Sequence, residues 1–233
     1  MTEIEYKYFE IRLKALSPIS ITRRTFNILS ETYWFIPAWT MWNAFVKLFA
    51  LFEGNRDYKD AKSKLKSIRL TNFYIIENNE ALFSFDETNR KKYISSDLKN
   101  AINPLSNTSL EGALYEREYI HAKNFIGWVK INSSDSDLNT FFSELKGKLF
   151  FIGADKNTGF GKVKVEKISE IQVEKPSSDK TKPKNFLFKP KNNNYLLPVE
   201  SDEKEFFPLT LREWDKEKGS GMKIVLIEGS QND

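Results

Sequence analysis

Phe151-Ile-Gly-Ala-Asp-Lys-Asn-Thr-Gly-Phe-Gly-Lys-Val-Lys-Val165 sets three glycines between two runs of strand-like character. Lys148-Leu-Phe-Phe-Ile152 leads in, and Phe160-Gly-Lys-Val-Lys-Val-Glu-Lys-Ile168 leads out with apolar and polar residues alternating, the period of a half-buried strand. The stretch is therefore a strand, a basic glycine-bearing loop and a second strand. Gly153, Gly159 and Gly161 allow positive φ and close backbone approach. Lys156, Asn157, Lys162 and Lys164 supply donors suited to phosphate oxygens. A plain hairpin turn uses glycines for geometry alone, so the loop has to be judged by what accompanies it.

Upstream, Tyr8-Phe-Glu-Ile-Arg-Leu-Lys-Ala-Leu16 alternates like a strand, Ser17-Pro18 interrupts it, and Ile19-Ser-Ile-Thr22 resumes an extended run. Pro37 opens a helix from Ala38 to Phe52 with Met41, Ala44, Phe45, Leu48 and Phe52 on one face, and Gly54-Asn55 ends it. Strands are expected over residues 68–76 and 81–85, joined by Glu77-Asn-Asn-Glu80 as a hairpin turn. Residues 86–109 show little periodicity and read as an insertion or mobile loop. Strands return at 115–120 and 125–131. Ser134-Asp-Ser-Asp137 then caps a helix carrying the stripe Leu138, Phe141, Phe142, Leu145, and Gly147 closes it.

The order strand, helix, hairpin, helix, strand predicts an α+β, ferredoxin-like (RRM-like) domain over residues 1–173, with an insertion near 86–109. No internal repeat is visible, though two related halves too diverged to detect stay open. Lys175-Pro-Ser-Ser-Asp-Lys-Thr-Lys-Pro-Lys184 is polar and basic, which suits a solvated linker or a flexible arm along a nucleic-acid backbone. Residues 206–211 and 222–227 supply a last strand pair. Residues 174–233 are thus expected to be a basic linker and a strand-rich extension packing on the same domain.

Composition excludes more than it assigns. The chain has 233 residues, 40% hydrophobic and 14% aromatic, enough to bury a core. With no apolar run near the ~20 residues that span a bilayer and no signal-peptide pattern at Met1-Thr-Glu-Ile-Glu-Tyr, an intracellular, cytoplasmic protein without a membrane partner is expected. Zero Cys removes disulfides, thiolate zinc sites and a cysteine nucleophile, and the single His121 removes metal sites needing two imidazoles. No cofactor is expected. Net charge is only +4, from 36 basic and 32 acidic residues, so charge distribution rather than total charge has to point to any polyanion.

Three segments in order resemble the RAMP (repeat-associated mysterious protein) superfamily, the RNA-binding subunits of CRISPR effector complexes. Leu16-Ser-Pro-Ile-Ser-Ile-Thr-Arg-Arg24 followed by Trp34-Phe-Ile-Pro-Ala-Trp-Thr-Met-Trp-Asn-Ala-Phe45 is similar to that family's opening motif. Gly112-Ala-Leu-Tyr-Glu-Arg-Glu-Tyr-Ile and Phe125-Ile-Gly-Trp-Val-Lys130 resemble its middle strand pair. Ile152-Gly-Ala-Asp-Lys-Asn-Thr-Gly-Phe-Gly-Lys-Val163 is similar to its glycine-rich signature. The resemblance implies a subunit of a type III effector ribonucleoprotein whose partners are guide RNA and other effector subunits. The RNA contacts expected are Arg23, Arg24, Trp39, Lys123, Lys156, Asn157, Gly159, Gly161, Lys162 and Lys164.

Departures from the family pattern shape the role. Ala38-Trp-Thr-Met-Trp-Asn43 lacks the basic residue usual there, which Arg23, Arg24 and Lys47 could replace. The family's target-cleaving backbone subunits need an Asp after the first strand, whereas residues 17–30 hold neither Asp nor Glu, and Glu31 is the nearest carboxylate. A non-catalytic structural subunit at one end of the assembly is therefore expected. Two other readings stay open. One is a metal-independent, repeat-processing endoribonuclease with His121 as general base beside Lys123; the other is an assembly subunit that mainly contacts protein. Trp34, Trp39 and Trp42 crowd the helix start beside Arg23 and Arg24, which fits either base stacking or an aromatic cluster facing core or partner. Arg117 between Glu116 and Glu118 reads as a surface ion-pair ladder.

Overall fold

The computed structural model describes residues 6–54, 57–82, 85–102, 105–106, 108–171, 185–191, 195–201, 208–211 and 223–226. They divide into two units, Met1–Ile171 and Gln172–Asp233. The first contains β1 (Tyr6–Ala15), β2 (Thr22–Phe26), β3 (Leu29–Thr32), α1 (Ala38–Phe52), α2 (Tyr58–Lys64), β4 (Arg69–Leu70), β5 (Tyr74–Glu77) and β6 (Glu80–Ala81). It continues with α3 (Glu87–Tyr93), β7 (Ile94–Ile102), β8 (Ser109–Ile120), β9 (Asn124–Asn132), α4 (Ser136–Glu144), β10 (Leu149–Phe151) and β11 (Lys162–Ile171). The second unit consists of two antiparallel pairs, β12 (Asn185–Lys191) with β13 (Tyr195–Ser201), and β14 (Pro208–Leu211) with β15 (Lys223–Leu226).

Seven strands form the main sheet in the order β10-β11-β1-β9-β5-β6, with β4 also on β9. Alternation decides its faces. In β1, Phe9, Ile11 and Leu13 are buried while Glu10 and Arg12 are only half-buried. In β11, Val163 and Val165 are fully buried between exposed lysines. The buried face receives α1 and α4 through a phenylalanine cluster: Phe45 lies against Phe73, Phe142 and Phe150, and Phe9 stacks on Phe142 at 5.8 Å between ring centroids. Each such ring contributes about 1.5–3 kcal/mol by leaving water, so this cluster carries much of the unit's stability.

Helix α1 has the expected bounds, but its buried face is Met41, Ala44, Phe45, Val46, Phe49 and Ala50; Leu48 is half-buried and Phe52 exposed. The helix sits rotated because Phe49, not Phe52, reaches Phe141 most closely, at 5.0 Å against 5.7 Å. The stripe expected on α4 is buried as a whole, Asp135 caps the helix by accepting from the Leu138 N–H, and Gly147 follows at φ 84°. Asn78 and Asn79 both take positive φ between β5 and β6, the geometry a two-residue hairpin turn requires.

Three expectations need correction. The single strand over 68–76 is broken into β4 and β5, because residues 71–73 are used elsewhere: Phe73 exchanges backbone hydrogen bonds with Ile36, and Asn72 Oδ1 accepts from the Ala38 N–H at the start of α1. The strand over 81–85 is reduced to β6, with residues 83–84 outside the described residues. The loop over 86–109 is instead α3 followed by β7, which pairs with β8 in a second sheet ordered β2-β3-β8-β7, where β3 and β8 run parallel. Helix α2 leaves no stripe to read in the sequence, since Ala61 is its one buried residue. The basic segment 175–184 lies outside the described residues. No described helix is long and apolar enough to cross a membrane.

Candidate nucleic-acid interface

The glycine loop between β10 and β11 is seated on the segment that breaks after β1. Gly161 N–H donates to Pro18 O at 2.7 Å, Ala154 N–H to Ser20 O at 2.8 Å, and Lys162 N–H to Ser17 Oγ at 2.9 Å. Leu16 N–H returns a bond to Lys162 O, and Ile152 N–H donates to Gly161 O. This packing explains two of the three glycines without any ligand. A Cβ on Gly153 would lie 2.2 Å from Ser20 O, and one on Gly161 would lie 1.9 Å from Ile152 O, both at positive φ. Gly159 differs: its φ is 93°, and a Cβ there would meet nothing within 4 Å.

Between these glycines the chain makes one 3-10 turn, Lys156–Thr158, preceded by Asp155 in the left-handed region at φ 54°. Asp155 is held by two cations of the second sheet, Lys99 on β7 at 3.1 Å and Arg117 on β8 at 2.7 Å. Phe160 adds a second clamp: the Lys99 ammonium lies 4.0 Å from its ring centroid, and Tyr119 packs edge-on at 5.5 Å. The carboxylate within the loop is thereby neutralised, so the donors around it face solvent without a competing anion.

The expected contact residues fall on different sides of this loop. Lys156, Asn157 and Gly159 are exposed on the 3-10 turn. Partial burial, and secondarily the Lys47 ammonium on α1, push the Lys156 pKa below the ordinary lysine value. Lys162 and Lys164 belong to β11 and, alternating with buried Val163 and Val165, project from the opposite face of the sheet. Gly161 is buried beneath the loop. The β8–β9 connection closes against the same floor: Ile120 bridges Ile19, and Lys123 O accepts from Ala15 N–H. This leaves the exposed side chains of His121 and Lys123 beside the 15–19 segment.

Arg23 and Arg24 are exposed on β2, but Arg24 is already engaged. Its guanidinium makes a two-pronged contact with Glu31, including Nη2 to Oε1 at 3.0 Å, and lies 4.5 Å from the Phe26 ring. Those hydrogen bonds hold the Glu31 carboxyl below its ordinary pKa and raise that of Arg24. Trp39 is half-buried, edge-on to Tyr33 at 5.7 Å. Trp34 stacks on Phe85 at 4.9 Å, and Trp42 donates its Nε1 hydrogen to Leu65 O at 3.1 Å. The tryptophan cluster is thus largely engaged with its own chain.

The ladder expected from Glu116, Arg117 and Glu118 does not form. Alternation along β8 sends Arg117 to Asp155, gives Glu116 a hydrogen bond from Ser96 Oγ, and buries Glu118, which pairs with Arg90 and accepts from the Thr32 N–H. The sequence reading missed the roles of Asp155, Lys99 and Phe160. Asp155 and Phe160 stand inside the glycine-rich motif, whereas Lys99 lies in a stretch whose exposed strand carries no apolar alternation.

No protein-family model matches the chain, and no curated protein does. A solved structure shares its fold. A chain from the cryo-EM structure of the type III-B Cmr-beta bound to cognate target RNA and AMPPnP aligns with a TM-score of 0.53 at 14% identity, over 95% of this chain and 84% of that one. Chains of the same type III-B Cmr-beta, bound to cognate target RNA and in the apo state, align at TM-scores of 0.48 and 0.49. Their identities are 11% and 10%, over 68% and 71% of this chain and 96% and 97% of theirs. At 14% identity the likeness to the first of these is one of fold.

Proposed function

We propose that this chain is a non-catalytic structural subunit of a type III CRISPR effector complex that holds guide RNA by its backbone, built on a ferredoxin-like RAMP domain. The order β1-α1-β5-β9-α4-β11, with β11-β1-β9-β5 adjacent in the sheet, supports the ferredoxin-like assignment. The likeness to a chain of the type III-B Cmr-beta bound to cognate target RNA supports the setting.

The observation that carries the proposal is the seating of the glycine loop on residues 17–20, with the 121–123 connection closing beside it. Three motifs far apart in sequence become one site. With Asp155 neutralised, the site presents Lys47, Lys156 and Asn157 to solvent. Such a surface grips phosphates by charge and shape, and leaves sequence to base pairing. In this role Arg24, bound to Glu31, orders β2 and β3, while Arg23 remains the residue of that pair available to RNA.

The test measures binding of a fluorescein-labelled, 30-nucleotide single-stranded RNA across a KCl series, with wild type and a Lys47→Ala, Lys156→Ala variant. The log–log salt slope is expected to flatten by about 0.7 for each phosphate no longer neutralised. An unchanged slope and affinity in a folded variant refutes the loop as an RNA contact. Incubating the same RNA with wild type and His121→Ala protein tests the absence of catalysis: cleavage by wild type that the variant loses would move the protein to the endoribonuclease class.

A further inference from the structure

The basic residues of β11 and β1 form a surface the loop does not use. Across four neighbouring strands, Leu149 on β10 lies opposite Lys164 on β11, Lys164 opposite Lys14 on β1, and Lys14 opposite Asn124 on β9. One step along the strands, Phe151 lies opposite Lys162. Lys14, Lys162, Lys164 and Phe151 share the face turned away from α1 and α4, because Leu13, Val163 and Phe150, which alternate with them, are buried in the core; Leu149, at the sheet edge, also lines a cleft with Leu48, Leu51 and Phe52 of α1 and Phe141 of α4.

Two features of this row are costly for a free protein. Lys14 and Lys164 are directly opposed like charges, an arrangement that destabilises a strand pair. Both are exposed, as is Lys162, and no ion pair to any of the three occurs among the described residues. Beside them Phe151 leaves 45% of its surface in water. A row of unneutralised ammonium groups calls for an anion with regularly spaced charges, and an exposed ring beside it calls for a flat apolar partner. Single-stranded nucleic acid offers both at the spacing of successive nucleotides.

We infer that the outer face of the main sheet at its β10-β11-β1 end is a second single-stranded nucleic-acid contact surface. Lys14, Lys162 and Lys164 contact phosphates there, and Phe151 is a stacking platform for a base. The surface is made of sheet residues and not of the 3-10 turn that carries Lys156 and Asn157, and it does not depend on the loop's assignment.

The test uses full-length protein and a fluorescein-labelled 20-nucleotide oligouridylate over a KCl series, with a Lys14→Gln, Lys164→Gln variant, Phe151→Ala, and the loop variant Lys47→Ala, Lys156→Ala. The sheet variant is expected to reduce the log–log salt slope by about 1.4, at about 0.7 per phosphate contact. Relieved of its opposed charges, it is expected to melt no earlier than wild type. Phe151→Ala is expected to bind about fivefold to a hundredfold more weakly with the slope unchanged, as removal of one stacked base implies. Weakening confined to the loop variant overturns the inference, whereas weakening in the sheet variant and Phe151→Ala sustains it even when the loop variant binds normally. Displacement of the RNA by polyglutamate of equal charge, together with wild-type affinity in Phe151→Ala, overturns it in favour of an acidic protein partner.

Discussion

Replacing Gly161 and Gly159 separately by Ala asks whether the glycines of the loop serve packing or ligand. At Gly161 the new methyl carbon would stand 1.9 Å from Ile152 O, a contact no side-chain rotation relieves because the opposing atom is backbone. The chain must open there. It then gives up the bonds from Gly161 N–H to Pro18 O at 2.7 Å and from Ile152 N–H to Gly161 O at 2.9 Å. Two backbone hydrogen bonds at roughly 0.5–1.5 kcal/mol each, with about 1–2 kcal/mol for a non-glycine residue in the left-handed region, amount to about 2–5 kcal/mol. At Gly159 the methyl meets nothing, so only the conformational cost of about 1–2 kcal/mol applies. Urea unfolding followed by tryptophan fluorescence, with the slope m held common, measures both. Equal destabilisation at the two positions, or a larger effect at Gly159, would refute the assignment of Gly161 to packing. RNA affinity measured on the same samples separates the roles further, since Gly159→Ala is expected to reduce affinity while leaving the fold intact.

Asp155→Ala removes the acceptor shared by Lys99 and Arg117 at 3.1 and 2.7 Å. It leaves two partly buried cations facing each other, an expected destabilisation of about 1–3 kcal/mol read by urea unfolding; Asp155→Ala with Lys99→Ala should recover part of it, and no recovery would argue against the clamp. Lys130 provides a pH signature: burial first, and Arg69 second, lower its pKa to about 8 from 10.5. Between about pH 8 and pH 10 the unfolded chain binds the proton that the folded chain has released, so stability should rise with pH, by at most about 1.4 kcal/mol per unit and less where water screens the amine. Tyr8, pushed up to about 12 mainly by burial, opposes this only above the ordinary tyrosine value near pH 10. Lys130→Met should flatten the rise, and a variant with the wild-type pH profile would exclude Lys130 as its source.

The elements legible in the sequence are those whose signal is local and whose buried face is wide. Residues 38–52 carry apolar residues at helical spacing behind a proline, and α1 has those bounds. Leu138, Phe141, Phe142 and Leu145 form a stripe that can only be buried together, as they are. Where burial is slight, the signal fades. Strand β7 is largely exposed, so Ile94-Ser-Ser-Asp-Leu-Lys-Asn-Ala-Ile102 has no alternation to read, and its partner β8 and the parallel neighbour β3 are non-local. Residues 68–76 do not form one strand for another reason: Asn72 and Phe73 are drawn away by bonds to Ala38 and Ile36, residues more than thirty positions earlier.

The same division holds for the candidate site. The kinds of residue present, three glycines with interleaved lysines between two strands and no cysteine or second histidine, are properties of the sequence alone, and they leave open both a turn that uses its glycines for geometry and a loop that contacts a polyanion. Which way each residue faces is a matter of register and packing. Pairing across β10, β11, β1 and β9 puts Lys162 and Lys164 on the outer sheet face with Lys14, while Lys156 stands exposed on the 3-10 turn of the loop. The clamp on Asp155 comes from a sheet assembled by residues 22–32 and 94–120, far from it in sequence. Composition and periodicity act over a few neighbouring residues, whereas facing and pairing are decided by burial of the whole core, and only the tertiary structure carries that information.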